Sequence, residues 1–439
     1  MNGRELRRHG PTLPEAAIRV HADRVTARLA EQRDRWRRGF TRRRVLAGAG
    51  AVGVASLATQ LTTTRVAFGD PATTRRTLVV VFLRGGMDGL SVVVPAGDPN
   101  LAKARRTIAV PEGALLAGDG RFGLHPALAP LHPLWRAGTM AAVHAVASPD
   151  ASRSHFQAQD CLERGAASVA VHSGWLDRVL TALGPGTTFR AVAEGSALPR
   201  ALVGAENKLV LEGIREFDLQ GWDGVRERTM TALKALYTGL EHPLAEQARL
   251  TVQSMSAARR VASAEYAPAV TYPDGGFAKE LTDVARLIKA KVGLRVAAID
   301  LGGWDMHTWI GRIDGGEMRN HLEQLAGALA AFAADLGPAL HDVNIVTMSE
   351  FGRRVAENGN AGADHGHGGL MLLVGGGLNG GKVHGKWPGL APSNLDQGDL
   401  AGANDYRDVL AELLRSRLGV GDVAKIFPGH RARDLGVFR

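Results

Sequence analysis

The chain has little of several features on which common classes of protein depend. Cys161 is the only cysteine among 439 residues, so the sequence excludes an intramolecular disulfide and a metal cluster held by cysteine thiolates. Hydrophobic residues make up 45% of the chain and charged residues 22%, proportions that are typical of a soluble globular protein. A chain of this length can bury one large hydrophobic core or two ordinary ones.

Lysine is absent from residues 1–70, which hold 14 arginines against 6 acidic residues and so carry a net charge of +8. The rest of the chain has 39 basic and 38 acidic residues, so nearly all of the overall charge of +9 lies in the N-terminal segment. A body that is close to neutral gives little reason to expect binding to nucleic acid or to a membrane surface. We therefore expect no nucleic-acid partner.

No charged residue occurs between Arg44 and Arg65, a stretch made mostly of Ala, Gly and Val. A basic region followed by a mildly apolar one is the pattern of a signal peptide, and the paired arginines before it favour twin-arginine export. Its Gly and Thr content makes the stretch a poor permanent membrane anchor. We expect residues 1–70 to be an N-terminal extension and signal peptide that engages the twin-arginine export machinery. The alternative is an ordinary Ala/Gly core helix with a basic lead-in.

The mature protein is accordingly expected to be periplasmic or extracellular, without a stable membrane span.

Two nucleotide-binding signatures are incomplete in its sequence. Residues 375–380 contain G-x-G-x-x-G, but the residues that follow do not start a helix, as a dinucleotide fold requires. Residues 376–382 lack the Ser or Thr of a phosphate loop, because Val383 stands in its place. We interpret this stretch as a turn between two strands.

Apolar runs at residues 77–83, 296–299 and 343–348 predict buried strands. The first run is continuous and rich in β-branched residues, which favours a central parallel strand that is covered on both faces. Amphipathic helices are predicted between the strands, so we expect an α/β fold that occupies residues 71–439. Residues 190–270 have helical periodicity and no metal-like cluster, and they predict a helix-rich insertion.

Acidic and imidazole side chains follow these strands. Asp305 and His307 lie two residues apart after the second strand, so both point to the same side of an extended segment. Ligands gather at the carboxyl ends of the strands in α/β sheets. Carboxylate and imidazole donors without sulfur suit Zn, Mn, Mg or Ca. We predict a divalent-metal site with ligands among Asp88, Asp305, His307, Glu350, Asp364, His365 and His367.

Two of these groups have an ordinary structural interpretation as well. Asp88 precedes a glycine, and Asp-Gly is a common turn pair. The histidines at 365 and 367 lie in a loop with four glycines, where they could be plain surface residues. Three ligand-type groups within residues 364–367 nevertheless favour a site.

Ser154 precedes a predicted helix that begins at His155, and it is suited to cap that helix. The same position favours an anion, so Ser154 is also a candidate nucleophile with His155 beside it. Arg353, or alternatively Arg84 or Arg153, is a candidate clamp for an oxyanion. A divalent metal could polarise an ester oxygen and activate the attacking group. Together these residues predict hydrolysis or transfer of small-molecule or polymeric phosphate or sulfate esters.

Several segments, taken together, resemble the bacterial family known as domain of unknown function fifteen-oh-one. They are Arg84-Gly-Gly-Met-Asp-Gly-Leu90, Ser154-His-Phe-x-Ala-Gln159, Gly303-Trp-Asp-x-His307, Ser349-Glu-Phe-Gly-Arg353 and Asp364-His-Gly-His-Gly368. The resemblance covers residues 75–437. That family is placed in the alkaline-phosphatase and sulfatase superfamily. The resemblance therefore implies a three-layer α/β/α sandwich with a mostly parallel central sheet and a divalent-metal site at the carboxyl ends of its strands.

The resemblance also implies roles for individual residues. Ser154 lies near the nucleophile position, and the match extends to Asp88, Asp305, His307, Glu350 and either His365 or His367 as ligands. Phe351 replaces the histidine of an Asp-His pair, which argues against a full two-metal site unless Asp364 and His365 themselves form that pair. Cys161 is followed by Leu-Glu-Arg and does not match the formylglycine signature, so we do not expect a formylglycine sulfatase. The alternative to an enzyme is a non-catalytic periplasmic binding or assembly protein that retains a degenerate metal site.

Overall fold

The computed structural model describes residues 76–204, 206, 208–215, 223–237 and 243–439. The predicted N-terminal extension and signal peptide, residues 1–70, lie outside the described residues. Within the described part of the chain, no helix is both long and apolar enough to cross a membrane.

The described residues form a large central sheet and two short strand pairs. The strand bounds are β1 (Thr77–Leu83), β2 (Val93–Pro95), β3 (Phe122–Leu124), β4 (Met140–Ala147), β5 (Ala191–Glu194), β6 (Leu209–Leu211), β7 (Val296–Leu301), β8 (Val343–Met348), β9 (Gly369–Gly375), β10 (Val383–His384), β11 (Leu395–Asp396), β12 (Asp399–Leu400) and β13 (Asn404–Asp405). The strand order of the central sheet is β10-β4-β9-β8-β1-β7-β5-β6, with β13 paired to β4. The two short pairs, β2-β3 and β11-β12, lie outside it.

Ten α-helices of the described residues separate and follow these strands. Their bounds are α1 (Gly89–Val92), α2 (Pro99–Ala104), α3 (His132–Arg136), α4 (His155–Arg164), α5 (Trp175–Ala182), α6 (Asp223–Tyr237), α7 (Pro243–Ser263), α8 (Gly276–Lys289), α9 (Glu317–Leu336) and α10 (Tyr406–Leu413). The turn at residues 375–380 joins β9 to β10, as the sequence predicts.

Strand β1 shows why the fold has three layers. All seven of its residues are buried, and alternate side chains enter two different hydrophobic clusters. Val79 and Val81 pack in one cluster with Leu281 of α8 and Leu325 of α9. The intervening residues of β1 pack in the other cluster with side chains of α5 and α10. Helices therefore cover both faces of the sheet, and the predicted three-layer α/β/α sandwich is confirmed.

The sheet is mostly parallel. Strand β1 pairs in parallel with β7 and β8, whereas β9 runs antiparallel to both β8 and β4. Leu83 pairs with Leu301 and Phe82 pairs with Met348, so β1, β7 and β8 end at nearly the same level. The segments that leave these strands consequently meet at one edge of the sheet, where the antiparallel β9 begins. We call this the carboxyl edge.

Two strands of the central sheet lie within residues 190–270, the range for which the sequence predicts a helix-rich insertion. Strands β5 and β6 pair with one another, and β5 also pairs with β7, so they belong to the central sheet. Both strands are only three to four residues long, which is too short for a clear strand pattern in the sequence. The larger compact unit comprises Thr63–Phe217 and Ala257–Arg439, while α6 and most of α7 fall in a second unit.

Candidate metal centre

The carboxyl edge brings together side chains from four segments that are distant in sequence. They are His155 after β4, Asp305 and His307 after β7, Glu350 and Arg353 after β8, and Asp364 and His365 just before β9.

Donor atoms of three histidines and one aspartate lie close to one another. Nε2 of His365 lies 3.0 Å from Nε2 of His155 and 3.0 Å from Nε2 of His307. Oδ1 of Asp305 lies 3.4 Å, 3.0 Å and 3.1 Å from Nε2 of His155, His307 and His365 respectively. We call these four side chains the donor cluster.

The second ring nitrogen of each histidine, Nδ1, faces an atom that can only accept a hydrogen bond. The three pairs are His155 with Oε1 of Glu350 at 2.7 Å, His307 with Oδ1 of Asp364 at 2.9 Å, and His365 with the backbone oxygen of Arg153 at 2.9 Å. Each Nδ1 must therefore carry the hydrogen, which leaves each Nε2 of a neutral ring with an exposed lone pair. Such partners behind histidine are typical of metal ligands, because they fix the ring and its tautomer.

The spacing of the donors suits a small divalent ion. Zinc bonds of about 2.0–2.1 Å in a tetrahedron place the donor atoms about 3.3–3.4 Å apart. Five separations between donor atoms of the donor cluster are 3.0–3.4 Å. The donor atoms of His155, Asp305 and His365 all lie within 4.8 Å of one another, close enough to hold one metal ion.

The net charge of the donor cluster and its supporting groups also favours the binding of a cation. Asp305, Glu350 and Asp364 contribute three negative charges, and Arg353 contributes one positive charge. Partial burial raises the pKa of Asp305, but the hydrogen bond from Arg353 and the charge of that guanidinium outweigh it and lower the pKa to about 2. With neutral imidazoles the net charge is −2, which a single divalent ion would balance.

Arg353 holds the loops of the carboxyl edge together. Its guanidinium is fully buried, and its Nη2 donates a hydrogen bond of 2.6 Å to Oδ1 of Asp305. Its other acceptors are the backbone oxygens of Gly85, Gly86, Trp304 and Ala363, and Nε2 of His307 at 3.4 Å. Because its five N–H groups are directed at these acceptors, the oxyanion role predicted for Arg353 does not fit, and the residue orients Asp305 instead.

Glu350 supports His155 rather than joining the donor atoms. Its Oε1 accepts hydrogen bonds from Nδ1 of His155, Nε2 of Gln159 (2.8 Å) and the backbone N–H of Gly85 (2.9 Å). Burial raises the pKa of Glu350, but these hydrogen bonds, that from Gln159 first, lower it overall. Arg84 in turn donates to Oε1 of Gln159 at 2.9 Å. A chain of hydrogen bonds therefore runs from Arg84 through Gln159 and Glu350 to the ring of His155. Arg84 was another candidate oxyanion clamp, and its guanidinium takes part in this chain instead.

Phe351 fills the space beneath two of the donor rings. Its ring centroid lies 4.9 Å from that of His155 and 4.8 Å from that of His365. A Cβ atom on Gly86 would lie 2.5 Å from the Phe351 ring, so the close packing requires glycine at that position. A phenyl ring cannot bind a metal, and the described residues bring together donors for one ion at this point.

Ser154 occupies the N-cap position of α4, as predicted, but its side chain makes no cap hydrogen bond. Within the described residues its Oγ has no hydrogen-bond partner. The hydroxyl is therefore free, and it lies one residue from His155 at the N-terminal end of a ten-residue helix. Arg153, the third candidate clamp, is bound to the buried carboxylate of Asp399.

Asp88 and His367, two of the predicted ligands, make their contacts outside the donor cluster. Asp88 is 2% exposed, and both of its oxygens accept hydrogen bonds from Arg105 while one also accepts from Ser91. Nε2 of His367 faces the backbone oxygen of Ser148 at 3.4 Å. The structure therefore does not place Asp88 or His367 in the donor cluster.

Gln159 and Asn358 contact site residues, although neither was predicted to belong to the site. Gln159 lies four residues after His155, so the two share one face of α4, and that spacing was a usable signal. Asn358 donates to Oδ1 of Asp364 at 3.0 Å and to the backbone oxygen of His307 at 2.9 Å. No local pattern marks Asn358, because its role depends on the path of the loop before β9.

Comparison with solved structures finds a distant likeness. The PsFucS1 sulfatase from Pseudoalteromonas sp. is 13% identical, with 83% of this chain and 73% of that chain covered and a TM-score of 0.32. The C-terminal periplasmic domain of EcEptC from Escherichia coli, in complex with Zn, is 10% identical, with 70% and 74% covered and a TM-score of 0.31. The lipoteichoic acid synthase LtaP from Listeria monocytogenes is 9% identical, with 77% and 78% covered and a TM-score of 0.26.

No curated protein matches the chain in sequence. The family described as "Protein of unknown function (DUF1501)" matches residues 135–437. This range contains every residue of the donor cluster and the groups behind its histidines. The resemblance predicted from the motifs is thus confirmed over residues 135–437, while the motif at residues 84–90 lies outside the matched range. The chain belongs to this DUF1501 family.

Proposed function

We propose that this protein is an exported, metal-dependent hydrolase or transferase that acts on phosphate or sulfate esters. One observation carries the proposal: three Nε2 lone pairs and one carboxylate oxygen face each other, while every Nδ1 is already bound to an acceptor. Without a cation these lone pairs would repel one another across 3.0 Å. The nitrogen-rich donor set and its spacing favour zinc.

The residues that would hold the ion are His155, Asp305, His307 and His365. A divalent ion held there would polarise an ester oxygen and stabilise the charge that develops on it. Arg353 keeps Asp305 in place, and Glu350 keeps the ring of His155 in place.

Ser154 is the proposed nucleophile. Its hydroxyl is free within the described residues and lies beside His155. The first N–H groups of α4 point out of the helix end, and with the helix dipole they favour a bound anion. A tetrahedral phosphate or sulfate group suits such a position. The export part of the proposal is supported by the arginine-rich sequence of residues 1–70 and its apolar continuation.

The test compares two carboxylates of equal exposure at opposite ends of the sheet. Asp305 is 47% exposed and lies in the donor cluster, whereas Asp342 is 46% exposed and lies beside His341 just before β8. The full chain is loaded with zinc and its metal content is measured by mass spectrometry. We expect about one ion per chain in the wild type and in Asp342→Asn, and a strong loss in Asp305→Asn, because only Asp305 is a ligand. Absence of bound metal in the wild type would show that the proposal is wrong.

Activity is measured on 4-nitrophenyl phosphate, bis(4-nitrophenyl) phosphate and 4-nitrophenyl sulfate. We expect hydrolysis of at least one ester, its loss with a chelator, and a fall of at least about 100-fold in Ser154→Ala with the metal retained. If the wild type binds metal but hydrolyses none of these esters, the alternative of a non-catalytic binding or assembly protein gains support.

A further inference from the structure

The loop that leads from β4 to α4 ends at Ser154 and is tied to a distant strand by Arg153. Asp150, Ser152 and Ser154 bond to one another: Oγ of Ser152 donates to Asp150 at 2.6 Å and accepts from the N–H of Ser154 at 3.2 Å. Arg153 instead reaches Asp399 of β12, 246 residues further along the chain. Arg153 therefore supplies a long-range anchor for the loop.

The carboxylate of Asp399 holds the guanidinium of Arg153 in one direction. Nε of Arg153 donates to Oδ2 of Asp399 at 2.8 Å, and Nη2 donates to the same oxygen. The side chain of Asp399 is 0% exposed, whereas that of Arg153 is 37% exposed. Two charge-assisted hydrogen bonds to one buried oxygen limit the movement of the planar guanidinium. Because a buried charge without its partner is costly, the pair resists separation.

Asp399 is itself fixed by its neighbours. Strand β12 pairs antiparallel with β11, and the backbone of Asp399 forms a β-bridge with that of Arg354. Nε of Arg354 also lies 3.4 Å from Oδ1 of Asp399. Arg354 directly follows Arg353, which orients Asp305. One buried carboxylate is thus joined both to the loop that ends at Ser154 and to the segment that carries Arg353.

The backbone of Arg153 has an unusual conformation that places its oxygen against a ring of the donor cluster. Its φ is +55°, in the left-handed region that residues with side chains rarely adopt. Its oxygen accepts the hydrogen bond from Nδ1 of His365 at 2.9 Å. Such a conformation persists where the surroundings impose it. Here the side chain is held at Asp399 and the oxygen at His365, so both ends of one residue are fixed.

We propose that Asp399 is a positioning residue that acts on the donor cluster through Arg153. Arg153 precedes Ser154 in the chain and supports His365, so its anchor sets the position of the proposed nucleophile relative to one of the donors. This inference rests on the proposed function, which gives Ser154 and His365 their roles. The alternative is a buried ion pair that stabilises the fold without affecting the donor cluster.

Hydrogen exchange of the metal-free full chain tests the anchor independently of catalysis. Residues 150–158 contain the hydrogen-bonded amides of Ser154 and Ala158. Asp399→Asn keeps the shape of the side chain but removes its charge, so we expect exchange of these two amides to rise about tenfold as the loop opens more often. Asp408→Asn is the matched control, because Asp408 is also 0% exposed and bound to an arginine, Arg433. This control should leave exchange in residues 150–158 unchanged.

Cobalt(II) bound in place of zinc reports the geometry of its ligands through its visible absorption spectrum. We expect the spectrum of Asp399→Asn to differ from that of the wild type and the cobalt affinity to fall about tenfold, because His365 loses a fixed support. Arg153→Ala should give the same two changes, since it removes the anchor from the other side, and Asp408→Asn should give neither. If Asp399→Asn does not fold, Arg153→Ala provides the comparison.

The two measurements separate this inference from the proposed function. Wild-type exchange in residues 150–158 together with a wild-type cobalt spectrum in Asp399→Asn or Arg153→Ala would overturn the positioning role and leave the proposed function standing. A wild-type protein that takes up no cobalt would show that the proposed function is wrong, whatever the exchange measurement gives for Asp399.

Discussion

Asp88 and Asp305 each follow a buried parallel strand, and each is paired with an arginine, yet their surroundings differ completely. The carboxylate of Asp88 is 2% exposed and its partner Arg105 is 1% exposed, and the pair uses both carboxylate oxygens. The carboxylate of Asp305 is 47% exposed, and Arg353 donates to only one of its oxygens. That same oxygen lies within 3.4 Å of three imidazole nitrogens.

The difference shows what separates a structural ion pair from the carboxylate that we propose as a metal ligand. Arg105 satisfies Asp88 on both oxygens and also donates to the backbone oxygens of Arg354 and Val355, so the pair joins the loop after β1 to the loop after β8. Arg353 has backbone acceptors of its own and leaves Asp305 accessible. A carboxylate becomes available to a metal when its arginine leaves part of it open.

The largest effect should come from breaking the buried pair. Asp88→Ala leaves Arg105 buried without its counter-ion, and we expect a loss of about 3–5 kcal/mol in the free energy of unfolding. Asp305→Ala, measured in metal-free protein, should cost less, about 1–2 kcal/mol, since the carboxylate is half exposed and only one of its oxygens accepts from Arg353. Urea unfolding of both variants gives the two values. Similar losses in the two variants would remove the distinction drawn between the pairs.

Acid should weaken the region around Asp88 through His144. This side chain is 1% exposed, its Nδ1 accepts from the N–H of Ala145 and its Nε2 donates to the backbone oxygen of Val93. Burial lowers the pKa of His144 from 6.5 to about 4. Between these values the unfolded chain binds more protons, so the free energy of unfolding falls as the pH drops from 6.5 to 4, by about 3 kcal/mol.

The variant His144→Gln cannot titrate and isolates this contribution. Urea unfolding of metal-free protein at several pH values should show a smaller fall for the variant than for the wild type. An unchanged slope below pH 6.5 would show that His144 does not remain neutral in the folded state.

A smaller effect is expected where a group supports a ligand without touching the ion. Glu350→Gln removes the charge behind His155 but keeps an oxygen that can accept from Nδ1, so zinc affinity should fall about tenfold. Glu357→Gln is the control, because Glu357 accepts hydrogen bonds from Thr107 and Ile108 and from no histidine. Competition with a chromophoric chelator measures both affinities. Equal weakening in both variants would contradict a specific role for Glu350.

Much of the fold was predictable from local patterns. Strand β1 was expected at residues 77–83 and has those bounds, and the helix after Ser154 begins at His155. Continuous apolar runs and helical periodicity identify such elements because each buries a face of its own. The short strands β5 and β6 were missed, since three or four residues cannot establish a period.

The site was predictable by residue type more than by individual role. His155 was expected to assist Ser154, and the structure places it among the donors with Glu350 behind it. Glu350 was expected to bind the metal itself, and it supports a ligand. Asp364 holds the ring of His307 at Nδ1. Whether a side chain faces the metal position or supports a neighbouring donor depends on its position to within a few ångströms. A sequence pattern does not specify positions that finely.

The sequence by itself determined the α/β class, the order of most strands and helices, and the concentration of carboxylates and imidazoles after the strands. Only the tertiary structure decided which of these groups converge. Arg105 reaches Asp88 across 17 residues of chain, whereas Arg353 reaches Asp305 across 48. The physical reason is that strand order and loop path place distant side chains together, and they also decide which carboxylate is satisfied internally and which one remains open to a cation.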